Sequence, residues 1–115
     1  MDINFIREFC KNLPGVTEGI KWENDLCFMI ADKMFCVTCL SGPPTLCFKV
    51  KDDEFDELTA LPGIIPAPYV SRYKWVLIND LSSLSKEKIE NYIVQSYHLI
   101  RSKISKKILN KLDLN

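Results

Sequence analysis

Three prolines within seven residues, Pro62, Pro66 and Pro68, constrain this 115-residue chain more than any other feature. Each proline fixes φ and removes a backbone donor, so the segment can be neither helix nor central strand. It runs into Arg72, Tyr73, Lys74 and Trp75, and then into the apolar run Val76-Leu77-Ile78. A stiff arm of this kind delivers cations and large rings to a sheet edge, which suits a recognition surface better than a spacer. The pattern matches no catalytic template.

Elsewhere the chain divides into short periodic segments. Asp2 is a good N-cap for a helix reaching about Asn12, with Phe5, Ile6, Phe9, Cys10 and Leu13 on one face. Pro14-Gly15 ends it, and Val16 to Asn24 reads as turn, with room for a short strand at its end. Leu26–Ala31 and Met34–Leu40 are expected to be strands of a tight hairpin turning at Asp32-Lys33. Strict alternation about that turn puts Leu26, Phe28, Ile30, Phe35, Val37 and Cys39 on one face. It puts Cys27, Met29, Met34, Cys36 and Thr38 on the other.

Ser41-Gly42-Pro43-Pro44 is a turn, and Thr45–Val50 a third strand with Leu46, Phe48 and Val50 inward. Asp52–Leu61 reads as a second helix with acidic residues in its first turn, where the dipole favours them, and Phe55, Leu58 and Leu61 inward. Tyr73–Asn79 is a fourth strand. Ser85 caps a last helix whose stripe is Ile89, Tyr92, Ile93, Ser96, Tyr97, Ile100 and Ile104. Basic residues near its end (Arg101, Lys103, Lys106, Lys107) suit the negative end of the dipole, and 107–115 continues as helix or frays. The expected class is α+β: an antiparallel sheet of four or five strands with helices on one face, in the order α-β-β-β-α-β-α, forming one domain over residues 1–115.

Composition narrows the functional classes. An apolar fraction of 47% with 26% charged residues fits a soluble globular domain. No apolar run approaches the ~20 residues of a membrane helix. The start, MDINFIREFC, lacks the basic n-region of a signal peptide, so a cytoplasmic location is expected. Net charge is zero, which weighs against strong non-specific nucleic-acid binding. The distribution is uneven: residues 1–60 carry six Lys and Arg against eleven Asp and Glu, and residues 61–115 nine against four.

The five cysteines (Cys10, Cys27, Cys36, Cys39, Cys47) read as reduced, mostly buried thiols. Cys36-x-x-Cys39 has the spacing of a redox or zinc half-site, but in a strand residues three apart face opposite ways. His98, the only histidine, falls off the apolar stripe and is expected to be exposed. The carboxylates Asp52-Asp53-Glu54 and Asp56-Glu57 crowd a helix start, which a cap and solvated face explain better than a metal site. No catalytic residue, metal ligand or cofactor site is expected.

Several pieces, taken in order, resemble the MmcQ/YjbR family of small bacterial proteins. They are LPGVTE (Leu13–Glu18), KMFCV (Lys33–Val37), FKV (Phe48–Val50), PAPY (Pro66–Tyr69), YKWV (Tyr73–Val76), Ser96-Tyr97 and SKK (Ser105–Lys107). The resemblance implies a CyaY-like, or secretion-chaperone-like, fold, and DNA binding through a double-wing arrangement. It implies no catalytic residues. In this chain the contacts would come from Lys33 at a hairpin tip, Lys49 and Lys51 on the open sheet face, and Arg72 and Lys74 of the arm. Lys103, Lys106 and Lys107 would add phosphate contacts, and Tyr73 or Trp75 would stack. The expectation is a non-enzymatic, weak and salt-sensitive binder of double-stranded DNA, or a regulatory protein. The alternative is a protein-interaction module, chaperone-like or homodimerising, that uses the open sheet face.

Overall fold

The computed structural model describes residues 2–114, and the fold is α+β. Four helices, α1 (Ile3–Lys11), α2 (Asp52–Thr59), α3 (Lys86–Arg101) and α4 (Lys106–Lys111), accompany six strands. The strands are β1 (Val16–Lys21), β2 (Asp25–Ile30), β3 (Lys33–Cys39), β4 (Leu46–Lys49), β5 (Ile64–Pro66) and β6 (Trp75–Ile78). They form one antiparallel sheet in the order β1-β2-β3-β4-β6-β5.

The sheet has six strands where four or five were expected, and the two that the sequence did not place, β1 and β5, are both edges. Val16–Lys21 is paired along its whole length with β2, where a turn was expected. Its sequence, VTEGIK, lacks an apolar run, in keeping with a strand none of whose side chains is fully buried. The piece Ile64–Pro66 at the root of the proline arm pairs with β6 on the opposite edge, the position a proline tolerates. The fourth expected strand is shorter than Tyr73–Asn79: Ser71–Tyr73 forms a 3-10 turn and Lys74 is left-handed at φ 65°, so extended pairing starts at Trp75.

Helices α1, α2 and α3 cover one face and share a core. Ile6 and Cys10 of α1, Leu58 of α2 and Ile89, Ile93 and Tyr97 of α3 pack on Leu26, Phe28, Ile30, Phe48, Val76 and Ile78. Asp2 caps α1 by accepting from the Phe5 N–H at 2.9 Å, and Ser85 caps α3. Leu61, expected inward, lies past the end of α2 and is exposed.

The hairpin β2–β3 departs from strict alternation. Phe28 pairs with Cys36 but Met29 pairs with Met34, so Phe35 is an extra residue, a β-bulge. Phe35 and Cys36 are consequently both fully buried in the core. Beyond the bulge the parity is reversed. Thr38 is buried against the helices, while Val37 and Cys39, expected in the core, line the open face beside Cys47 and Leu77. Cys36 and Cys39 do lie on opposite faces.

Pairing of β3 with β4 stops at Cys36↔Phe48, just before the bulge. The Ser96 hydroxyl of α3 fills the gap. It accepts from the Lys49 N–H at 2.9 Å and donates to the Phe35 carbonyl at 2.6 Å, fully buried. Its neighbour Tyr97 donates to the Pro14 carbonyl at 2.6 Å and receives an N–H from Arg101 at 3.0 Å. Arg101 also donates to the Leu114 carbonyl. Leu114 packs so close to Gly15, at φ 75°, that a Cβ there would overlap it at 2.4 Å. Residues 107–114, expected either to continue as helix or to fray, are thus held by α4 and by Leu114; Asn115 lies outside the described residues.

Two stability predictions follow from these contacts. Ser96→Ala leaves a buried N–H and a buried carbonyl without a partner, and is expected to cost about 2 kcal/mol or more in urea unfolding; a change below half that would show the bridge to be dispensable. On the rim, Glu18 of β1 accepts from Arg7 at 2.9 and 3.0 Å and pairs with Lys11 at 3.1 Å. Burial raises the Glu18 carboxyl, but the bonds from Arg7 and Lys11 outweigh it and hold it below its ordinary value. Because the folded-state pKa is depressed, the stabilisation is present above the unfolded carboxylate range, near pH 4, and is lost as pH falls through it. Glu18→Gln should therefore be less stable than the wild type at pH 7, by no more than about 1 kcal/mol given the half-exposed partners, and the gap should close toward pH 3.

Candidate nucleic-acid interface and open-face groove

Two features stand outside the core: a group of cations at one end of the sheet and an apolar groove on its uncovered face. The cations gather because β4 ends, β6 begins and the β2–β3 hairpin turns at the same end. Lys49 pairs across the ladder with Trp75, which follows Lys74 directly. The Lys49 ammonium is held below the usual lysine value, first by burial and then by the charge of Lys103, with Lys74 adding to the effect and Asp52 opposing it. Lys49 Nζ donates to the Tyr73 carbonyl, and no carboxylate lies within 4 Å of it among the described residues. Three lysines, 49, 74 and 103, thus come from three separate elements to one place. Lys33 is exposed at the start of β3 and Lys51 at the start of α2, at the same end.

The remaining expected contact residues are placed less uniformly. Arg72 is exposed, but its guanidinium stacks 4.8 Å from the centroid of the Tyr73 ring and donates to the Tyr73 hydroxyl at 2.6 Å. Tyr73 is 52% exposed. Lys74 Nζ sits 4.9 Å from the centroid of the Phe55 ring, which fixes its stem against α2. Trp75 is only 7% exposed and faces the groove, so it offers no free face for stacking at the rim. Lys106 and Lys107 do not end α3: they occupy the first turn of α4, at the positive end of its dipole. The dipole therefore does not explain their charge. Carboxylates border the patch, because Asp52, Asp53 and Glu54 open α2, and Glu54 is engaged by the Lys51 N–H and by Gln95 Nε2 at 2.7 Å.

The groove was not anticipated as a site. It has a volume of about 700 Å³ and runs along the open face from Trp22, Asp25 and Cys39, over Val37, Cys47 and Leu77, to Met34, Val70 and Trp75. The reversal of parity at the Phe35 bulge supplies Val37 and Cys39 to its floor. Burial, reinforced by the Asp25 carboxylate, pushes the Cys47 thiol up to about 12, so it stays neutral. The Cys27 thiol is raised first by burial and then by Asp25, against the opposing charge of Lys21.

Two aromatic side chains at this groove are held at a conformational cost. Trp22, in the β1–β2 turn, is left-handed at φ 50° and 67% exposed. Tyr69, at the tip of the proline arm, is left-handed at φ 69° and 99% exposed. Bulky residues avoid this region, and the exposure of Tyr69 leaves its ring almost no packing gain to offset the cost. Tyr69→Gly should accordingly leave stability unchanged or raise it by up to about 1 kcal/mol. Urea denaturation checks this; a loss above 1 kcal/mol would mean that Tyr69 packs on something.

His98 is exposed on α3 with its ring 5.2 Å from that of Tyr97. No grouping of three or more His, Cys, Asp or Glu with metal-binding geometry occurs among the described residues. No helix of the described residues is long and apolar enough to cross a membrane.

Comparison with known proteins gives a family and a fold. A family model described as YjbR matches residues 11–99. A crystal structure of a Deinococcus radiodurans protein with the family-model domain DUF419 superposes with a TM-score of 0.87 at 24% identity, over 98% of this chain and 88% of that one. A crystal structure of a Pseudomonas syringae protein superposes with a TM-score of 0.73 at 18% identity, over 87% of this chain and 99% of that one. At these identities the likeness concerns the fold alone. No curated protein matches the chain.

Proposed function

The chain belongs to the YjbR family, and we propose that it is a non-enzymatic binding module that grips the phosphate backbone of double-stranded DNA with the lysine-bearing end of its sheet. The observation that carries this reading is Lys49, a partly buried ammonium that feels the charges of Lys103 and Lys74 against the opposing charge of Asp52, with no carboxylate within 4 Å among the described residues. Such a group gains when an anion arrives, because the anion relieves repulsion among the three cations. Lys33 and Lys51 flank it, and Arg72 with Tyr73 forms a flat lip beside it. Lys106 and Lys107, whose charge the α4 dipole disfavours, add to the pool of cations without a structural task.

The carboxylates of α2 limit the footprint to a few phosphates. Binding is therefore weak, in the micromolar range or above, and indifferent to sequence. The non-enzymatic part of the reading rests on dispersal: His98 lies exposed on α3, while Cys10 and Cys36 are buried in the core. The alternative of a protein-interaction module draws on a different observation, the apolar open face, and differs in its response to salt.

Fluorescence anisotropy with a labelled mixed-sequence duplex tests the proposal. Neutralising three or four phosphates should make Kd rise about fortyfold to 150-fold between 50 and 200 mM salt. Lys74→Glu/Lys103→Glu should abolish saturable binding at low salt. No binding by the wild type at low salt, or equal binding by the double variant, would contradict it.

A further inference from the structure

We propose that the open-face groove is a small-molecule site that takes a largely apolar ligand bearing one cationic group, with the cation at Asp25 and Trp22 and the apolar body along Val37, Cys47, Leu77 and Trp75. This is independent of the lysine-bearing end and of whether DNA is bound there.

Size is the first reason. A cavity of about 700 Å³ lies within the range of roughly 300–1,000 Å³ that small-ligand sites occupy. From the level of Cys39 to that of Met34 the floor spans five residue steps of β3, or about 15 Å at roughly 3.3 Å per residue, long enough for an extended ligand. The floor and walls are almost wholly apolar.

Charge is the second reason, and it selects the ligand. Asp25 is the single charged side chain among the lining residues. The lining thiol of Cys47 stays neutral, and the cations of the DNA proposal lie outside the groove. The Asp25 carboxylate makes no hydrogen bond or ion pair among the described residues, although Lys21 is its cross-strand neighbour. An unpaired carboxylate at the end of an apolar trough favours a cation and disfavours phosphate or carboxylate ligands. Trp22 adds an indole three residues away, and carboxylate with indole is a pairing suited to an ammonium group.

Strain is the third reason. Trp22 and Tyr69 line opposite ends of this groove, and both are exposed aromatics in the left-handed region. Tyr69 has almost no covered surface to offset its conformation, and costly conformations of this kind concentrate where a ligand uses them. Trp22 shares its left-handed backbone with Glu23 in the β1–β2 turn, which places the indole at the groove. The two rings would close on the ends of a molecule lying between them.

The test uses three probes with one skeleton: 4-phenylbutylamine, 4-phenylbutanol and 4-phenylbutanoate. Each is titrated into ¹⁵N-labelled full-length protein while the two indole N–H signals, of Trp22 and Trp75, are followed. The amine should bind tightest and the carboxylate weakest, with both indole signals moving. In Asp25→Asn the amine should lose about threefold or more in affinity and the alcohol should be unchanged. Equal affinity of all three probes, a preference for the carboxylate, stationary indole signals, or an undiminished amine preference in Asp25→Asn would each overturn the proposal.

Discussion

The hydroxyl of Ser96 is the contact on which the rest of the molecule's organisation turns. It crosses from α3 into the sheet, takes the Lys49 N–H and gives its proton to the Phe35 carbonyl, at the point where β3 and β4 lose direct pairing. A bulge in the middle of a sheet would otherwise leave both groups buried and unsatisfied, at a cost of about 1–3 kcal/mol each. With the hydroxyl in place the bulge is tolerated, and its consequences run in both directions. Toward the helices, Phe35 and Cys36 enter the core side by side, and Phe35 meets Tyr97 edge to face at 5.5 Å. Toward solvent, Val37 and Cys39 become the floor of a groove. The same helix carries the next residue, Tyr97, to the Pro14 carbonyl, so one turn of α3 ties together the sheet centre and the α1–β1 junction.

The sheet then presents two kinds of chemistry in different places. Its covered face is ordinary core. Its open face is apolar with one carboxylate at one end, and beyond the other end lie Lys49, Lys74 and Lys103. The acidic α2 and the basic end are neighbours, which explains how zero net charge coexists with a local cationic surface. The proline arm separates these regions. Its root is an edge strand, its tip carries Tyr69, and its return through Ser71–Tyr73 brings Arg72 and Lys74 back to the sheet.

Much of this was legible in the residues and some was not, for physical reasons. The capped helices α1 and α3 and the β2–β3 hairpin follow from periodicity and capping chemistry, and Asp2, Ser85 and the Ile89–Tyr97 stripe behave as that reading requires. The edges β1 and β5 were missed because an edge strand needs neither an apolar run nor length. The bulge was invisible: nothing in MFCVTCL marks Phe35 as an extra residue, since the cause is Ser96, sixty-one positions away. That one omission inverted the assignment of Cys36, Val37, Thr38 and Cys39 and hid the groove, although the Met29, Met34, Cys47 side had been identified as open. The lysines could be named from charge alone, but which of them meet could not. Trp22 carries no signal of its own in the sequence, since a lone indole in a turn fits any exposed loop.

Native-state alkylation, quenched over time and read by mass spectrometry, tests the central claim that the Phe35 bulge turns Cys36 inward and Cys39 outward. The structure has Cys36 fully buried beside Cys10, and Cys39 only partly covered at the groove. Cys39 should react well before Cys36, which should become reactive only as the protein unfolds. Modification of Cys36 in the folded protein at a rate matching or exceeding that of Cys39 would mean that the strand keeps its simple alternation, and the account of the sheet and its groove would be wrong.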